Sequence, residues 1–269
     1  MKLNPPQNVL TCAVHAARAA GKIMRDNLHT EKKINETTQH DLKIELDVRC
    51  QKRIERVLGG SVPDAAILGE EGVAGSTQAE FRWVIDPIDG TVNFAYGIPH
   101  ACVSIALQTR VELKTAPANG DANYQTVLGV IYNPFCEELW TATCNRPARL
   151  NGRIIRVSTR TRLAESIITL GFSKNNATLD KMLRGFNRLI HRVRKLRIMG
   201  SAALDLAYVA CGRFDAYIEP SVRLWDIAAG GLILERAGGE FWHKPVEGEH
   251  AYRVIASNGR LRRQLQKLV

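Results

Sequence analysis

The chain has 269 residues, 45% of them apolar and 24% charged. That is enough apolar material for a sizeable core and excludes a disordered tail, and no repeat marks a fibrous protein. Lys and Arg outnumber Asp and Glu by 37 to 27, a formal charge of +10, which attracts anionic partners: nucleic acid, phosphorylated metabolites or a membrane surface.

Apolar residues at helical spacing, rich in alanine, predict a helix over residues 8–28. A second helix is expected over 41–58, with an extended start and a face of Leu46, Cys50, Ile54 and Val57. Ala65–Gly69 reads as a short strand running into Glu70-Glu71-Gly72, and a polar loop over 72–80 leads to a strand, 81–85, that stops at Asp86-Pro87. Another strand is expected over 101–108. Residues 114–125 read as an exposed loop between strands, and 127–132 and 138–143 as strands around the turn Asn133-Pro134. Beyond them come a strand at 163–170, helices at 181–190 and 204–211, and a strand at 216–219. An apolar helix follows over 227–237, starting near Asp226, and a short basic helix over 260–268. Strands and helices alternate without a steady βαβ period, so a layered α/β (α+β) arrangement is expected, with a soft boundary near residues 145–155. Whether the strands run parallel is left open by periodicity.

The charge is uneven. Residues 1–145 hold 14 basic and 17 acidic groups, and residues 146–269 hold 23 and 10. Residues 181–197 carry seven basic groups and no acidic one. Lys181, Arg184, Arg188, Arg192 and Lys195 repeat there at helical spacing, opposite Leu183, Phe186 and Ile190. A nucleic-acid face, a solvated helix and a dimer rim are all compatible with that pattern. The six cysteines form no CxxC pair, which points to buried thiols in a reducing compartment rather than a zinc or disulfide framework. No apolar run approaches a membrane span, and the N-terminus lacks the apolar core of a signal peptide. A cytoplasmic protein without membrane contact is expected.

The segment WVIDPIDGTVNF, residues 83–94, carries the most chemistry. A hydrophobic strand ends in Asp86 and Asp89, held by Pro87 and Gly90. Asp-x-x-Asp with an intervening proline can turn both acids, and the carbonyl between them, toward one hard cation. Glu70 and Glu71 follow another strand end, and Asp226 precedes an apolar helix. Taken singly, these acids also suit a turn, a solvated loop or a helix cap. If they meet, their repulsion demands a divalent ion, and oxygen-only ligation favours Mg²⁺ or Mn²⁺. Thr91 stands where a hydroxyl can orient a water, the equipment of phosphomonoester hydrolysis. At Gly200-Ser201-Ala202-Ala203 a helix start offers N–H groups to a phosphate or a sugar hydroxyl, and Glu219 offers an acceptor to a polyol.

These residues resemble the inositol monophosphatase family of Mg²⁺-dependent, lithium-sensitive phosphatases, especially its bacterial members. WVIDPIDGTVNF matches the family's first long motif and WDIAAGGLILERAGG its second; GEEG and GSAALDLAYVACGRFDAYIE follow family order. The resemblance implies a single domain over 1–269. Its fold would be a layered α-β-α-β-α sandwich, shared with fructose-1,6-bisphosphatases and usually assembled as a homodimer. It implies two or three Mg²⁺ ions, replaceable by Mn²⁺. Glu70, Asp86, the Ile88 carbonyl, Asp89 and Asp226 fall at the metal-ligand positions. Thr91 matches the threonine that aligns the attacking water beside Glu70, with Asp47 as its acidic partner and Glu71 as a nearby acid. Substrate contacts fall at Asp89, Gly90, Thr91, Gly200, Ser201, Ala202, Glu219 and Asp226, and Arg223 stands where it reaches toward the leaving-group pocket. The chain departs from the family where Asp41-Leu42 is followed by Lys43-Ile44, not the usual Val-Thr pair, and where Glu36-Thr37 replaces a lysine.

The resulting expectation is an Mg²⁺-dependent phosphomonoesterase acting on myo-inositol monophosphate. Histidinol phosphate, fructose-1,6-bisphosphate and 3′-phosphoadenosine nucleotides are the alternative substrates. Some bacterial relatives act in RNA-related regulation, so an RNA- or protein-binding role for the basic 181–197 segment is the alternative of a different kind.

Overall fold

The computed structural model describes residues 7–37, 42–111, 120–172 and 176–268. Asp41 and the part of the 114–125 loop before Gly120 lie outside the described residues. Along the first half run α1 (Gln7–Asn27), β1 (Ile34–Thr37), β2 (Leu42–Ile44), α2 (Glu45–Leu58), β3 (Ala66–Gly69) and β4 (Gly72–Ala74). Next come β5 (Phe81–Asp89), α3 (Thr91–Ala95), β6 (Cys102–Arg110), β7 (Tyr124–Asn133), β8 (Glu138–Thr143), β9 (Arg146–Leu150) and β10 (Arg153–Ile154). The second half holds β11 (Ile167–Leu170), α4 (Asn176–Ile190), β12 (Lys195–Arg197), α5 (Ala202–Ala210) and β13 (Ala216–Arg223). It ends with α6 (Leu224–Arg236), β14 (Glu240–Pro245), β15 (Ala251–Ser257) and α7 (Arg262–Leu265).

Strands β10-β9-β8-β7-β6-β5-β3-β4 form an eight-stranded sheet, and β12-β11-β13-β15-β14 a five-stranded one. Pairing is mixed: β3 runs parallel to β5, and β11 parallel to both β12 and β13, while the other ladders are antiparallel. Side chains alternate across a strand, so β5 sends Trp83 and Ile85 to one face and Val84 and Asp86 to the other. The first face packs on α1 and α2 through Ala13, Ala17, Met24, Cys50 and Ile54. The second meets α5 and α6, whose other side is covered by Tyr217, Val222, Val254 and Ala256 of the five-stranded sheet. The outer face of that sheet, through Ile168, Ile218 and Ile255, holds Met182 and Leu189 of α4 and Leu265 of α7. The layers therefore run helix, sheet, helix, sheet, helix: the expected sandwich. Burial on both faces explains why β5 reads as a continuous apolar run instead of an alternating one.

Several boundaries differ from expectation. The 72–80 loop begins with the edge strand β4, and β5 does not stop at Asp86-Pro87 but continues to Asp89. The helix expected near Asp226 starts at Leu224. The basic helical spacing does not extend to Lys195. Arg192 and Val193 donate back to the Leu189 carbonyl, and Arg194 and Lys195 then bond to Ser166 O as the chain enters β12. The buried stripe of α4 is Met182 and Leu189 with Phe186 behind them, whereas Leu183 and Ile190 are exposed. Among the described residues no helix is long and apolar enough to cross a membrane.

Candidate active site

The site begins where the β5–β6 ladder breaks. Register shifts between Asp86 and Asp89, where Pro87 has no N–H to give; such bulges are where a strand tolerates proline. The Ile88 N–H instead donates to Asp86 Oδ1 at 3.0 Å, and the Ile88 carbonyl accepts the Thr91 hydroxyl at 2.9 Å. Gly90 turns the chain into α3 with φ of 94°, and a Cβ there would lie 3.0 Å from the His100 carbonyl oxygen and 3.2 Å from that of Gly200. Only glycine suits both the backbone and the space. One turn thereby presents Asp86, Ile88, Asp89 and Thr91 together.

The helices of the middle layer complete it. Ser104 on β6, the register partner of Asp86, donates to the Trp225 carbonyl at 3.1 Å. That tie holds the start of α6 against β5 and sets Asp226 beside Asp86. Asp226 also accepts the Arg223 N–H at 3.0 Å. Arg223 is the N-cap of α6 and Asp226 stands three residues into the turn, so Asp226 is not the N-cap itself but bonds back to it. One oxygen of each of Asp86, Asp89 and Asp226 lies within 4.8 Å of the others.

Asp89 faces the N-terminus of α5. It accepts the Ser201 hydroxyl, the Ala203 N–H at 2.8 Å and the Ala202 N–H at 3.3 Å, with the Cys102 thiol at 3.7 Å. A carboxylate at a helix start is favoured by the unpaired N–H groups and the helix dipole. The donors expected to receive a phosphate or sugar hydroxyl are thus occupied by Asp89, and they fix its direction.

Burial and mutual repulsion dominate the electrostatics. Asp86 is held well above the usual carboxylate range by burial, then by Glu70, Asp89 and Asp226. Asp226 is pushed up to about 8 by burial and by Asp89, and it shares a hydrogen bond with Asp86. Asp89 is raised by burial despite its donors from Ser201, Ala203 and Ala202. Among the described residues no Lys or Arg forms an ion pair with any of the three. Two buried acids and a half-buried one, all offering oxygen and none offset by a cation among the described residues, fit a hard divalent ion.

The chain matches the profile of the Inositol monophosphatase family over residues 6–269. It belongs to that family. It is 38% identical to Inositol monophosphatase 2 of Solanum lycopersicum, covering 93% of each chain. It is also 38% identical to Nus factor SuhB of Pasteurella multocida, covering 88% of this chain and 84% of that one. Among solved structures, the extragenic suppressor protein SuhB from Bartonella henselae superposes with a TM-score of 0.85 at 33% identity, over 97% of this chain and 98% of the other. Family membership and the acidic cluster together support a metal-dependent phosphatase.

The remaining expected residues fall around this centre to different degrees. Glu70 closes β3, its N–H donating to the Ile85 carbonyl at 3.1 Å, and its charge acts on Asp86. Asp47 is buried in the first turn of α2 and accepts the Ile44 N–H at 2.9 Å. Glu219 stands half-buried on β13 and accepts the Tyr217 hydroxyl. Arg223 is exposed, and its guanidinium donates to the Glu249 carbonyl, which turns it toward the β14–β15 loop. Sequence reasoning passed over Gln51. This buried residue of α2 accepts the Glu71 N–H at 2.9 Å and donates to the Gly72 carbonyl at 3.2 Å, clamping the Glu70-Glu71 turn. Its signal was a polar side chain one turn after Asp47, on the helix face that carries Cys50 and Ile54.

Proposed function

We propose that this protein hydrolyses phosphate monoesters with Mg²⁺, most readily myo-inositol monophosphate. The observation that carries the reading is the clustered acids Asp86, Asp89 and Asp226, without an ion-pair partner among the described residues, in a chain of this family. Asp86, Asp89, Asp226, Glu70 and the Ile88 carbonyl would hold two or three Mg²⁺ ions, with Mn²⁺ as a substitute. When bound, the ions supply positive charge to the phosphoryl oxygens and to an attacking water.

The protein's own groups do the rest. Glu70 and Thr91 orient the water, and Asp47 acts as the acidic partner of Thr91. The Gly90 and Thr91 N–H groups face the phosphate. Glu219 accepts hydroxyl hydrogen bonds from the alcohol, with Gly200, Ser201 and Ala202 beside it and Glu71 as a neighbouring acid. A homodimer, lithium sensitivity and a cytoplasmic setting belong to the same reading. Several relatives carry the name inositol monophosphatase, which supports this substrate over histidinol phosphate, fructose-1,6-bisphosphate or 3′-phosphoadenosine nucleotides. A panel of these compounds compared by kcat/KM tests it, and a higher value for any of the other three displaces inositol phosphate.

One observation favours a second role. Arg184, Arg188, Arg192, Arg194, Lys195 and Arg197 are all exposed on one outer segment, and other relatives are named Nus factor SuhB. RNA binding there would fall steeply with salt and be lost on neutralising Arg188, Arg192 and Lys195. Binding that ignores salt removes this reading.

A further inference from the structure

The five-stranded sheet shows the middle layer a patch that metal binding does not explain. Parallel pairing sets Thr169 of β11 beside Tyr217 of β13 and Leu170 beside Ile218. Just past that register the Gly171 N–H donates to the Ile218 carbonyl at 3.0 Å, which brings Gly171 alongside Glu219. Alternation puts Thr169, Gly171, Tyr217 and Glu219 on one face. That face looks toward α5, because the Thr169 hydroxyl donates to Asp205 Oδ2 of that helix at 2.8 Å. Ile168, Leu170, Ala216 and Ile218 point the other way, into the core beneath α4 and α7.

Three features converge on Glu219. Tyr217, two residues earlier, has no exposed surface, and its hydroxyl donates to Glu219 Oε2. Gly171 leaves the space the carboxylate fills: a Cβ there would overlap Glu219 Oε2. Its φ lies outside the left-handed region, so space and not backbone conformation calls for glycine. Pro220 follows Glu219, and the β13–β15 register shifts between Glu219 and Val222, a local bulge that re-aims a side chain.

We infer that Tyr217 is a positioning residue for Glu219, with Gly171 providing its room, so that the hold of Glu219 on the alcohol's hydroxyl groups depends on both. The inference rests on the phosphatase reading above. A carboxylate accepts several donors at once, so one buried phenol can hold its orientation while alcohol hydroxyls bind to it. Without that phenol the carboxylate keeps its charge and loses one of the bonds that set its direction. In the phosphatase reading the phosphate meets Gly90 and Thr91, so the effect of this patch falls on the alcohol.

The test uses the full chain with Mg²⁺, comparing myo-inositol 1-phosphate with phenyl phosphate, whose alcohol has no second hydroxyl. Tyr217→Phe is expected to raise KM for the inositol ester about 3- to 10-fold, the worth of one hydrogen bond. For phenyl phosphate KM should move less than about twofold. Gly171→Ala should reproduce the same split by displacing Glu219. In the Glu219→Gln background, Tyr217→Phe should add little. Equal losses on both substrates, or full additivity with Glu219→Gln, would overturn the inference while leaving the phosphatase intact. A wild-type protein that releases phosphate from neither ester overturns the phosphatase reading, and this inference with it.

Discussion

Asp121 and Asp86 are both buried carboxylates, and the molecule treats them in opposite ways. Asp121 pairs with Arg82 at 2.9 Å and accepts from His250 Nδ1 at 2.8 Å and the Tyr252 hydroxyl at 3.0 Å. Burial alone would raise its pKa; His250 and Arg82 outweigh that and leave it lowered. Arg82 is in turn held by Gln108 at 2.7 Å and stacks over the Tyr124 ring at 4.0 Å. Asp86 has no such cation among the described residues, and its acidic neighbours add to the effect of burial. One region answers a buried acid with its own base; the other collects acids and leaves the positive charge to come from outside. Placing Asp121 and Asp86 in one chain shows that the acid cluster is not a general tolerance of buried charge.

The sharpest way to break that comparison is Asp86→Asn. Mg²⁺-dependent phosphate release should fall about a thousandfold. The melting temperature in EDTA should hold or rise, because an acid disfavoured by burial and by its acidic neighbours gives way to a neutral amide of the same shape. A variant that loses activity and stability together would mean that Asp86 is structural, as Asp121 is. Asp121→Asn is the converse: it strands Arg82 in the interior and should cost about 3 kcal/mol of stability, read by urea unfolding. An unchanged midpoint would remove the contrast between the two regions.

Proton linkage gives a smaller effect. The folded Asp226 titrates at about 8, far above an unfolded aspartate near 3.9. Between those values the folded state holds more protons, so metal-free stability should decline as pH rises from about 4 to about 8. A divalent ion must displace that proton, so Mg²⁺ should raise the melting temperature more at pH 8.5 than at pH 6.5. The bound is about 1.4 kcal/mol per pH unit for one proton. A stabilisation by Mg²⁺ that does not vary with pH would place the ion away from Asp226.

What the sequence disclosed follows the same division. WVIDPIDGTVNF carried its chemistry openly, because a strand end, a proline and a glycine are local signals. Asp121 did not: it sits in a polar stretch that reads as an exposed loop, and its partners lie at positions 82, 250 and 252. The helix expected over 181–190 lies within α4, which starts at Asn176, and its buried stripe is Met182 and Leu189, one position away from Leu183 and Ile190. Periodicity finds a helix more readily than its rotation. The Gly200–Ala203 turn was recognised as a helix start with donors to offer. Which anion takes those donors depends on a contact spanning 112 residues, from Asp89 to Ser201, and no local pattern encodes that.

Ser201→Ala sets that last contact against the sequence expectation. The hydroxyl donates to Asp89 and accepts the Leu204 N–H at 3.4 Å, capping α5. Removing it should cost about 1 kcal/mol of stability, the ordinary worth of a cap. Asp89 keeps its bonds from Ala202 and Ala203, so the carboxylate loosens without leaving. The Mg²⁺ concentration for half-maximal rate should then rise up to about tenfold, with the plateau rate changing less. If the plateau or the substrate KM moves while the Mg²⁺ midpoint stays, Ser201 acts on the substrate itself. The helix start would then serve the ligand directly and not by way of Asp89.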